Sequence, residues 1–528
     1  MERQTPEKDN KRQSIARGAV TVMGAFIVSN LVGLLAKTLT ARYFGTGIES
    51  NAFFAANRFS EILFNLVAGG ALGSAFIPVF TGLLVNEEKR RAWHLASALV
   101  NIVSLVLVGL SLLTLLFSRT VVRTILAPGF SPSEIALTAR LLRIQVLSSI
   151  IFGLSGLVMG ILNAHQRFLL PSLAPAMYQV GWLIGIFALR PALGVDGLAW
   201  GVVIGSGLHL FVQVPRLVKL PSARYRFSLG KGVAEVKEVA LLMAPRLLGV
   251  AVVQLNFLLN TYLASFQPQG SITALSLAFP LMIMPEAAIA QSIAIAALPA
   301  FSALVARGNM DKLRSSLAAT LRSMLLLSIP ATVGLIMLRD NIVRLLYQGN
   351  AFTTDSAALV SWALLWYAAG LAGHGLVEIL SRAFYSLHDT RTPVIIGVGT
   401  MTANLLLSFA FTRLFSLIGW MPHGGLALAN STATFVESII MILIMRKRLG
   451  GIELRHLLIS ILKALLASAL MAAAVWLISE NLAGRSNIVV TALSVFAGLL
   501  AYLAGLWLLR SQDLNKLIGI FKLKLKKD

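Results

Sequence analysis

Apolar residues form long stretches along this chain, and short polar segments separate them. An α-helix needs about 20 residues to cross the hydrocarbon core of a bilayer, and fourteen stretches reach that length. The pattern predicts an all-α polytopic membrane protein with about fourteen transmembrane helices. The predicted spans are residues 16–41, 56–85, 92–118, 134–163, 168–190, 195–218, 236–265, 272–306, 312–338, 354–386, 391–416, 423–446, 454–479 and 487–510.

The first twelve spans contain an internal repeat. Pro78 and Phe80 recur as Pro299 and Phe301, about 221 residues later. The same separation, or one a residue larger, relates three further pairs, which are Thr40 with Thr261, Arg123 with Arg344, and Pro171 with Pro393. An even number of spans leaves both copies in the same orientation, so we expect two pseudo-symmetric six-helix lobes with a cavity between them. Two extra C-terminal helices lie outside the repeat.

The repeat and the loop charges together predict the domains and the topology. Lysine and arginine are concentrated in every second connection, whereas residues 266–271 on the opposite side carry no charge. The positive-inside rule then places both termini in the cytoplasm. The predicted segments are a cytoplasmic N-terminal tail (1–15), an N-lobe of spans one to six (16–218), a cytoplasmic linker with room for a short surface helix (219–235), a C-lobe of spans seven to twelve (236–446), spans thirteen and fourteen (447–511) and a basic cytoplasmic tail (512–528).

Composition removes several classes of function. The net charge of +23 would raise nucleic acid as a partner for a soluble chain, but 57% of the residues are hydrophobic and the cations lie in the short connections, where anionic lipid headgroups account for them. The chain has no cysteine, which excludes disulfides and Cys-ligated metals. A GxxxxGK[ST] phosphate loop and an HExxH motif are both absent from the sequence, so we predict neither an ATPase, nor a metal site, nor another enzyme, and no cofactor.

Charges inside membrane helices are candidate functional groups because each costs free energy unless it is paired or hydrated. Lys37 lies near the end of span one, where it either extends to the outer surface or lines a cavity. Arg58 and Glu61, three residues apart in span two, are neighbours on one helical face. They form either a local ion pair that anchors the helix end or a gate and substrate contact.

Two further candidates each follow a proline. Arg246 comes directly after Pro245 in span seven, and Glu286 directly after Pro285 in span eight. A proline inside a helix frees a carbonyl and tends to kink the helix, and transporter helices are often interrupted at the substrate site. We expect Arg246 to line the cavity. Glu286 either pairs with a cation of the other lobe or is neutral and hydrogen-bonded.

Span ten carries a polar stripe. His374, Glu378 and Arg382 follow one another at steps of four and so share one face of the helix. Glutamate four residues before arginine is the favourable order for a helical ion pair. The stripe either satisfies itself inside the bundle or couples transport to the membrane potential, Na⁺ or H⁺, since a histidine can change its charge near neutral pH.

Seven stretches of the chain resemble the MurJ/MviN family of the multidrug/oligosaccharidyl-lipid/polysaccharide exporter superfamily. They are ARYFGTGIESNAFF with GALGSAFIPVF, LAPGFSPSEIALTARLLRIQ, GILNAHQRFLLPSLAPA, LLGVAVVQLNFLLNTYLASF, AFYSLHDTRTPV and GGLALANSTA. The resemblance implies a two-lobed transporter of the bacterial cytoplasmic (inner) membrane. It also implies that the cargo is lipid II, the undecaprenyl-pyrophosphate-linked peptidoglycan precursor, which is flipped from the inner to the outer leaflet by alternating access. The last two helices would flank a groove for the lipid tail.

The chain departs from the family's pattern at the cavity arginines. Where family members carry charged residues in the first, second and eighth helices, this chain has Ala36 with Lys37, Phe64, and Phe279 with Pro280; Asn30 and Asn51 replace two more. We therefore expect Lys37, Arg58 and Arg246 to attract the pyrophosphate instead. The alternatives are export of another lipid-linked oligosaccharide or an amphipathic small molecule, and a non-transporting scaffold that gathers cell-wall enzymes.

Overall fold

The structure, a computed structural model, describes residues 6–67, 71–221, 223–482 and 484–511. Within these ranges it is helical, and β-type pairing is confined to one isolated bridge between Gly349 and Phe352. Ten of the helices described are long and apolar enough to span a membrane, or up to twelve if each of two bent pairs is one span. The predicted all-α polytopic fold is confirmed. The predicted basic tail, 512–528, lies outside the described residues.

The chain divides into a first compact unit up to Ile272 and a second from Thr273. The helices of the first unit are α1 (Pro6–Phe44), α2 (Ile48–Val67), α3 (Ala71–Val85), α4 (Lys89–Leu116), α5 (Pro132–Ala164), α6 (Leu169–Leu193), α7 (Val195–Val218) and α8 (Ala234–Ser265), with short helical turns at Ser118–Val121 and Val122–Leu126. Predicted span seven, now α8, thus falls in the first unit. The six-plus-six division of the repeat stays a prediction.

The second unit contains the remaining helices. They are α9 (Ser271–Ala306), α10 (Met310–Tyr347), α11 (Thr354–Ala369), α12 (Leu371–Ser386), α13 (Arg391–Leu417), α14 (His423–Arg448), α15 (Leu454–Asn481) and α16 (Asn487–Leu508). A π-helical turn interrupts α9 at Ala287–Gln291, and another interrupts α6 at Gly185–Leu189. The last two helices pack together and against α10, where the Tyr502 hydroxyl donates to the Leu326 carbonyl over 2.6 Å.

Glycines bring α6 and α7 into backbone contact. A Cβ atom added to Gly181 would lie 2.1 Å from the Cα of Gly205, and one added to Gly185 would lie 2.7 Å from the Cα of Gly201. Small residues of this kind allow membrane helices to approach closely. Gly129, in the APGF stretch, allows another close approach, because a Cβ atom added to it would lie 2.5 Å from the Ser265 carbonyl oxygen.

The chain bends sharply within α8 and between α11 and α12. The segments Ala234–Ala244 and Gly249–Ser265 of α8 are inclined by 49°, and α11 is inclined to α12 by 42°. At the second corner the Ser431 hydroxyl of α14 donates to the Trp366 carbonyl over 2.6 Å, and Ser431 packs directly on Gly370. A side chain from a neighbouring helix thus satisfies a carbonyl that the break leaves free.

Residues 223–230 of the linker form no helix, and α8 begins at Ala234, inside the predicted linker. The non-helical segment lies along the polar face of the first three turns of α4, where the Tyr225 hydroxyl donates to Asn101 Oδ1 over 2.6 Å and the Arg226 amide donates to Ser97 Oγ over 3.2 Å. Asn101 Nδ2 in turn donates to the Ser228 carbonyl over 2.9 Å. We call residues 223–230 the strap. The strap makes these hydrogen bonds to α4 and does not form the short surface helix for which the linker had room.

The loop between α12 and α13 is held by Asp389. Its carboxylate accepts the backbone amides of Arg391 and Thr392 over 3.1 and 3.0 Å, and Arg448 at the end of α14 approaches it at 2.5 Å. Partial burial opposes ionisation, but the hydrogen bonds from Thr392 and the charge of Arg448 outweigh it and lower the pKa of Asp389. The loop and the end of α14 are therefore joined by an ionised carboxylate.

Asp389→Ala should destabilise the protein by about 1.5 kcal/mol, because hydrogen bonds to a charged group are lost. Since the folded pKa lies below the unfolded value of about 3.9, this contribution is complete above that pH and is lost as the pH falls through the lower folded pKa. Thermal unfolding in detergent at pH 7 measures the effect. Asp311→Ala is the control, because Asp311 pairs with Arg314 at 2.6 Å but is 88% exposed. A loss no larger than that of the control would contradict the prediction.

Candidate functional site

In the first unit, Glu61 joins two neighbours on α2. Arg58 NH1 lies 2.8 Å from Glu61 Oε2, and Asn57 Nδ2 donates to Glu61 Oε1 over 2.8 Å. The three-residue spacing had predicted the first of these contacts. Asn57 was not singled out, although it stands four residues before Glu61 and so shares the same helical face. Both oxygens of the carboxylate are thus engaged.

Lys37 of α1 lies close to this pair. Its ammonium group is near enough to interact electrostatically with both Glu61 and Arg58, yet among the described residues it makes no hydrogen bond and no ion pair within 4 Å. Helix α1 continues to Phe44, so Lys37 is two turns from the helix end rather than one. The cationic cluster of Lys37, Arg58 and Glu61 therefore contains more positive than negative groups and favours an anion.

Two more helices of the first unit contribute to the surroundings of the cluster. The Arg58 guanidinium lies 5.1 Å from the centre of the Phe257 ring of α8. Cation–π contact of this kind stabilises a guanidinium in an apolar setting. Tyr178 of α6 is close enough to Glu61 for the two side chains to interact electrostatically. Helices α1, α2, α6 and α8 thus converge on the cluster.

Arg246 lies in the bend of α8. Its side chain is exposed and makes no hydrogen bond or ion pair with any residue that the structure describes. It precedes Phe257 by eleven positions, about 16 Å along a straight helix. The structure therefore does not bring Arg246 into contact with the cationic cluster, although both use α8.

In the second unit the predicted stripe on α12 is bonded both within the helix and to α14. Arg382 NH2 lies 2.5 Å from Glu378 Oε1, the pair expected from the spacing of four. His374 Nε2 lies 3.2 Å from Asn430 Oδ1 and 3.5 Å from the hydroxyl of Thr434. The stripe thus satisfies much of its own polarity, as the first alternative predicted. Coupling to the membrane potential, Na⁺ or H⁺ stays a prediction.

Glu286 is buried and lies beside the stripe. Gln291 Nε2 donates to Glu286 Oε2 over 3.2 Å across the π-helical turn, and the charge of Glu378 acts on the same carboxyl group. The hydrogen-bonded alternative considered for Glu286 therefore fits its surroundings in the second unit. The turn matters here, since π-bulges are frequent at functional sites.

One intramembrane carboxyl group escaped the sequence analysis. Glu437 lies near the middle of α14, where the Thr400 hydroxyl of α13 donates to its Oε2 over 3.2 Å. A lone glutamate in the middle of an apolar span was a sufficient signal to include it among the candidates.

Aromatic side chains fill two of the positions where the resemblance implies cavity charges. Phe64 packs on Phe152 with ring centres 4.5 Å apart, and Phe279 meets the edge of Tyr367 at 5.2 Å. Ala36 is fully buried. These positions contribute to packing, and of the replaced set Lys37 is the residue that retains a charge.

Over the described ranges no group of three or more His, Asp or Glu side chains is placed to hold a metal ion. The cationic cluster instead offers an ammonium and a guanidinium group, which bind phosphate oxygens through charge-assisted hydrogen bonds that strengthen as water leaves. Binding of this kind requires no bond to be broken.

Comparison with known proteins identifies the family. Residues 40–496 match the family model "Lipid II flippase MurJ". The lipid II flippase MurJ of Burkholderia cenocepacia is 29% identical over 441 residues, which cover 82% of this chain and 84% of that protein. A probable lipid II flippase MurJ of Vibrio cholerae is 30% identical over 80% of this chain and 81% of its own length.

Solved structures agree with the family match. A structure titled "Lipid II flippase MurJ, inward closed conformation" superposes with a TM-score of 0.80 at 26% identity, covering 94% of this chain and all of that one. An inward-facing multidrug resistance MATE transporter of the MOP superfamily shares the fold at a TM-score of 0.68 and 16% identity, over 83% of this chain and 98% of its own. The chain therefore belongs to the MurJ lipid II flippase family.

Proposed function

We propose that this chain moves lipid II from the inner to the outer leaflet of the bacterial cytoplasmic membrane by alternating access. The observation that carries the proposal is the match of residues 40–496 to the MurJ lipid II flippase family. Supporting it, the first unit holds the cationic cluster on α1 and α2, where an anionic headgroup would be attracted. A polyprenyl tail would stay in the lipid beside α15 and α16.

The pyrophosphate is carried, not cleaved, in this mechanism. Lys37 and Arg58 supply positive charge, Glu61 keeps the guanidinium oriented, and partial dehydration strengthens each contact to phosphate. The sequence has no phosphate-loop motif, so we propose a secondary-type transporter without ATP hydrolysis. Movement of one charge across the membrane is worth about 2.3 kcal/mol per 100 mV, which is enough to bias the two orientations.

A second cargo deserves a direct test because aromatic residues occupy several charged positions of the family. Phe64 stands where the resemblance implies an arginine and Phe279 where it implies an aspartate, and each phenylalanine makes its own surroundings less polar. That change favours another lipid-linked oligosaccharide or an amphipathic small molecule over lipid II.

Complementation of a bacterium depleted of its own lipid II flippase separates these cargoes. We expect the wild-type chain to restore growth, and Lys37→Ala and Arg58→Ala to reduce rescue by at least tenfold in colony count at matched expression, because each removes a cation from the cluster. Arg246→Ala tests whether the exposed arginine in the bend of α8 also contributes. Arg413→Ala is the control, since Arg413 is an exposed arginine near the end of α13.

Each result has a definite meaning. Failure of a well-expressed, membrane-inserted wild type would reject lipid II as the cargo. Rescue by the wild type and by all three variants would reject the assigned cations while leaving the flippase activity in place.

We further propose that both termini lie in the cytoplasm. The natural absence of cysteine allows single cysteines to be introduced without background. In intact cells an impermeant maleimide should label Gln269→Cys, which lies in the uncharged connection, and should label Lys447→Cys and Arg224→Cys only after the membrane is permeabilised. Labelling of Lys447→Cys in intact cells would reverse the topology.

A further inference from the structure

An apolar groove lies on the first unit, and no residue of the cationic cluster lines it. It has a volume of about 320 Å³. Helix α2 contributes Leu66, α4 contributes Ile102 and Val106, and α8 contributes Val236, Ala240 and Met243. The lining offers a ligand almost no polar contact, so the occupant must be a hydrocarbon.

The groove is about as long as one leaflet is deep. The straight part of its lining on α8 runs from Val236 to Ala244, and its lining on α4 runs from Leu99 to Leu107. Each wall covers eight positions, or about 12 Å of helix. Half of a hydrocarbon core of about 30 Å is about 15 Å. A single acyl chain of one leaflet therefore matches the groove in length, whereas a tail that crosses the bilayer does not.

The strap reaches the end of the groove at Val236, which we call the mouth. Gly230 packs against Val236, the first lining residue of α8. His94 of α4 is hydrogen-bonded to Ser228 at 2.9 Å, which fixes the strap on the helix that forms the opposite wall. Arg91 bridges Glu88 and Glu235 at the start of both helices. The mouth is thus a built structure and not a loose connection.

Exposed cations lie along the strap and in the first turn of α8. Arg224 and Arg226 project from the strap, and Lys237 lies on the same helical strip as Ala240 and Ala244 of the groove. Phe227 of the strap is 79% exposed, which suits insertion at the level of lipid headgroups. Glu238 is also exposed beside Lys237, but the cations outnumber it.

We propose that the groove binds an anionic phospholipid, with one acyl chain along α4 and α8 and the phosphate against Arg226 and Lys237. The apolar depth fixes the chain, and the cations select a net negative headgroup over a zwitterionic one. This site is independent of the proposed lipid II site, because it uses none of the residues of the cationic cluster.

Native mass spectrometry of the full chain in detergent tests the proposal, with phosphatidylglycerol and phosphatidylcholine of identical acyl chains as probes. We expect phosphatidylglycerol to bind more tightly. The double variant Arg226→Gln with Lys237→Gln should weaken it about 30-fold, at roughly 1 kcal/mol for each cation. Ala240→Trp should fill the groove and abolish the tight binding of both lipids.

Matched controls separate the site from general lipid contact. Arg446→Gln with Lys447→Gln removes two exposed cations at the end of α14, and Ala473→Trp adds an indole to an exposed position of α15. We expect both controls to bind as the wild type does. Equal affinity for the two lipids, or equal losses in variants and controls, would overturn the proposal. If Ala240→Trp fails to fold, the affinity of the Arg226→Gln, Lys237→Gln double variant for phosphatidylglycerol still tests the proposal.

Discussion

Gly181→Ala is expected to destabilise the first unit by about 3 kcal/mol or more, because the added methyl group has no space. Its carbon would lie 2.1 Å from the Cα and 2.2 Å from the backbone nitrogen of Gly205. Backbone atoms cannot rotate away as a side chain can, so α6 and α7 must separate and lose their packing. Overpacking of a core usually costs 1–3 kcal/mol, and a clash with backbone lies at the upper end.

Gly207→Ala is the matched control on α7. A Cβ atom at Gly207 meets nothing within 4 Å, and alanine has a higher helix propensity than glycine by up to about 1 kcal/mol. The control should therefore keep or slightly raise the unfolding temperature in detergent. A Gly181→Ala protein that melts with the wild type would mean that the two helices are not in the described contact.

Glu61→Ala is expected to cost about 2 kcal/mol of stability, because it leaves the Arg58 guanidinium without its ion-pair partner and Lys37 without the nearest negative charge. Removing one partner of a buried ion pair costs 3–5 kcal/mol, and we expect less here because Glu61 is 39% exposed. Asn57 loses its acceptor in the same variant.

A double-mutant cycle isolates the ion pair from the loss of packing. Glu61→Ala, Arg58→Ala and the double variant are compared by thermal unfolding, and a coupling of about 1 kcal/mol is expected for residues in direct contact. The double variant should melt above Glu61→Ala, since one of the uncompensated charges is gone. Additive effects of the two substitutions would show that the pair contributes nothing.

The sequence predicts the helices well where they are apolar and less well where they are amphipathic. Helix α10 was expected to end at 338, because Arg339 and Asp340 interrupt the hydrophobic run, but it continues to Tyr347. Its last turns bury Val343 and Tyr347 in the second unit. Hydropathy registers the mean of a window and not the face of a helix, so tertiary packing decides such ends.

In the candidate site, the sequence predicts contacts within one helix but not contacts between helices. Spacing along one helix was sufficient to predict the contacts of Arg58 with Glu61 and of Glu378 with Arg382. The proximity of Lys37 to the first pair depends on how separate helices pack, which a periodic pattern does not encode. Differences from a family pattern identify the charged residues that are lost, but they do not show where the remaining charged side chains come together in the fold.

The corner between α11 and α12 is rigid and does not act as a hinge. Straightening or further bending it would withdraw the Ser431 hydroxyl from the Trp366 carbonyl and leave that oxygen without this hydrogen bond, at a cost of about 1–3 kcal/mol. The close seat of Ser431 on Gly370 restricts the same movement sterically. Helices α11, α12 and α14 should therefore move as one rigid piece, and any flexing that transport demands must take place at other points of the chain.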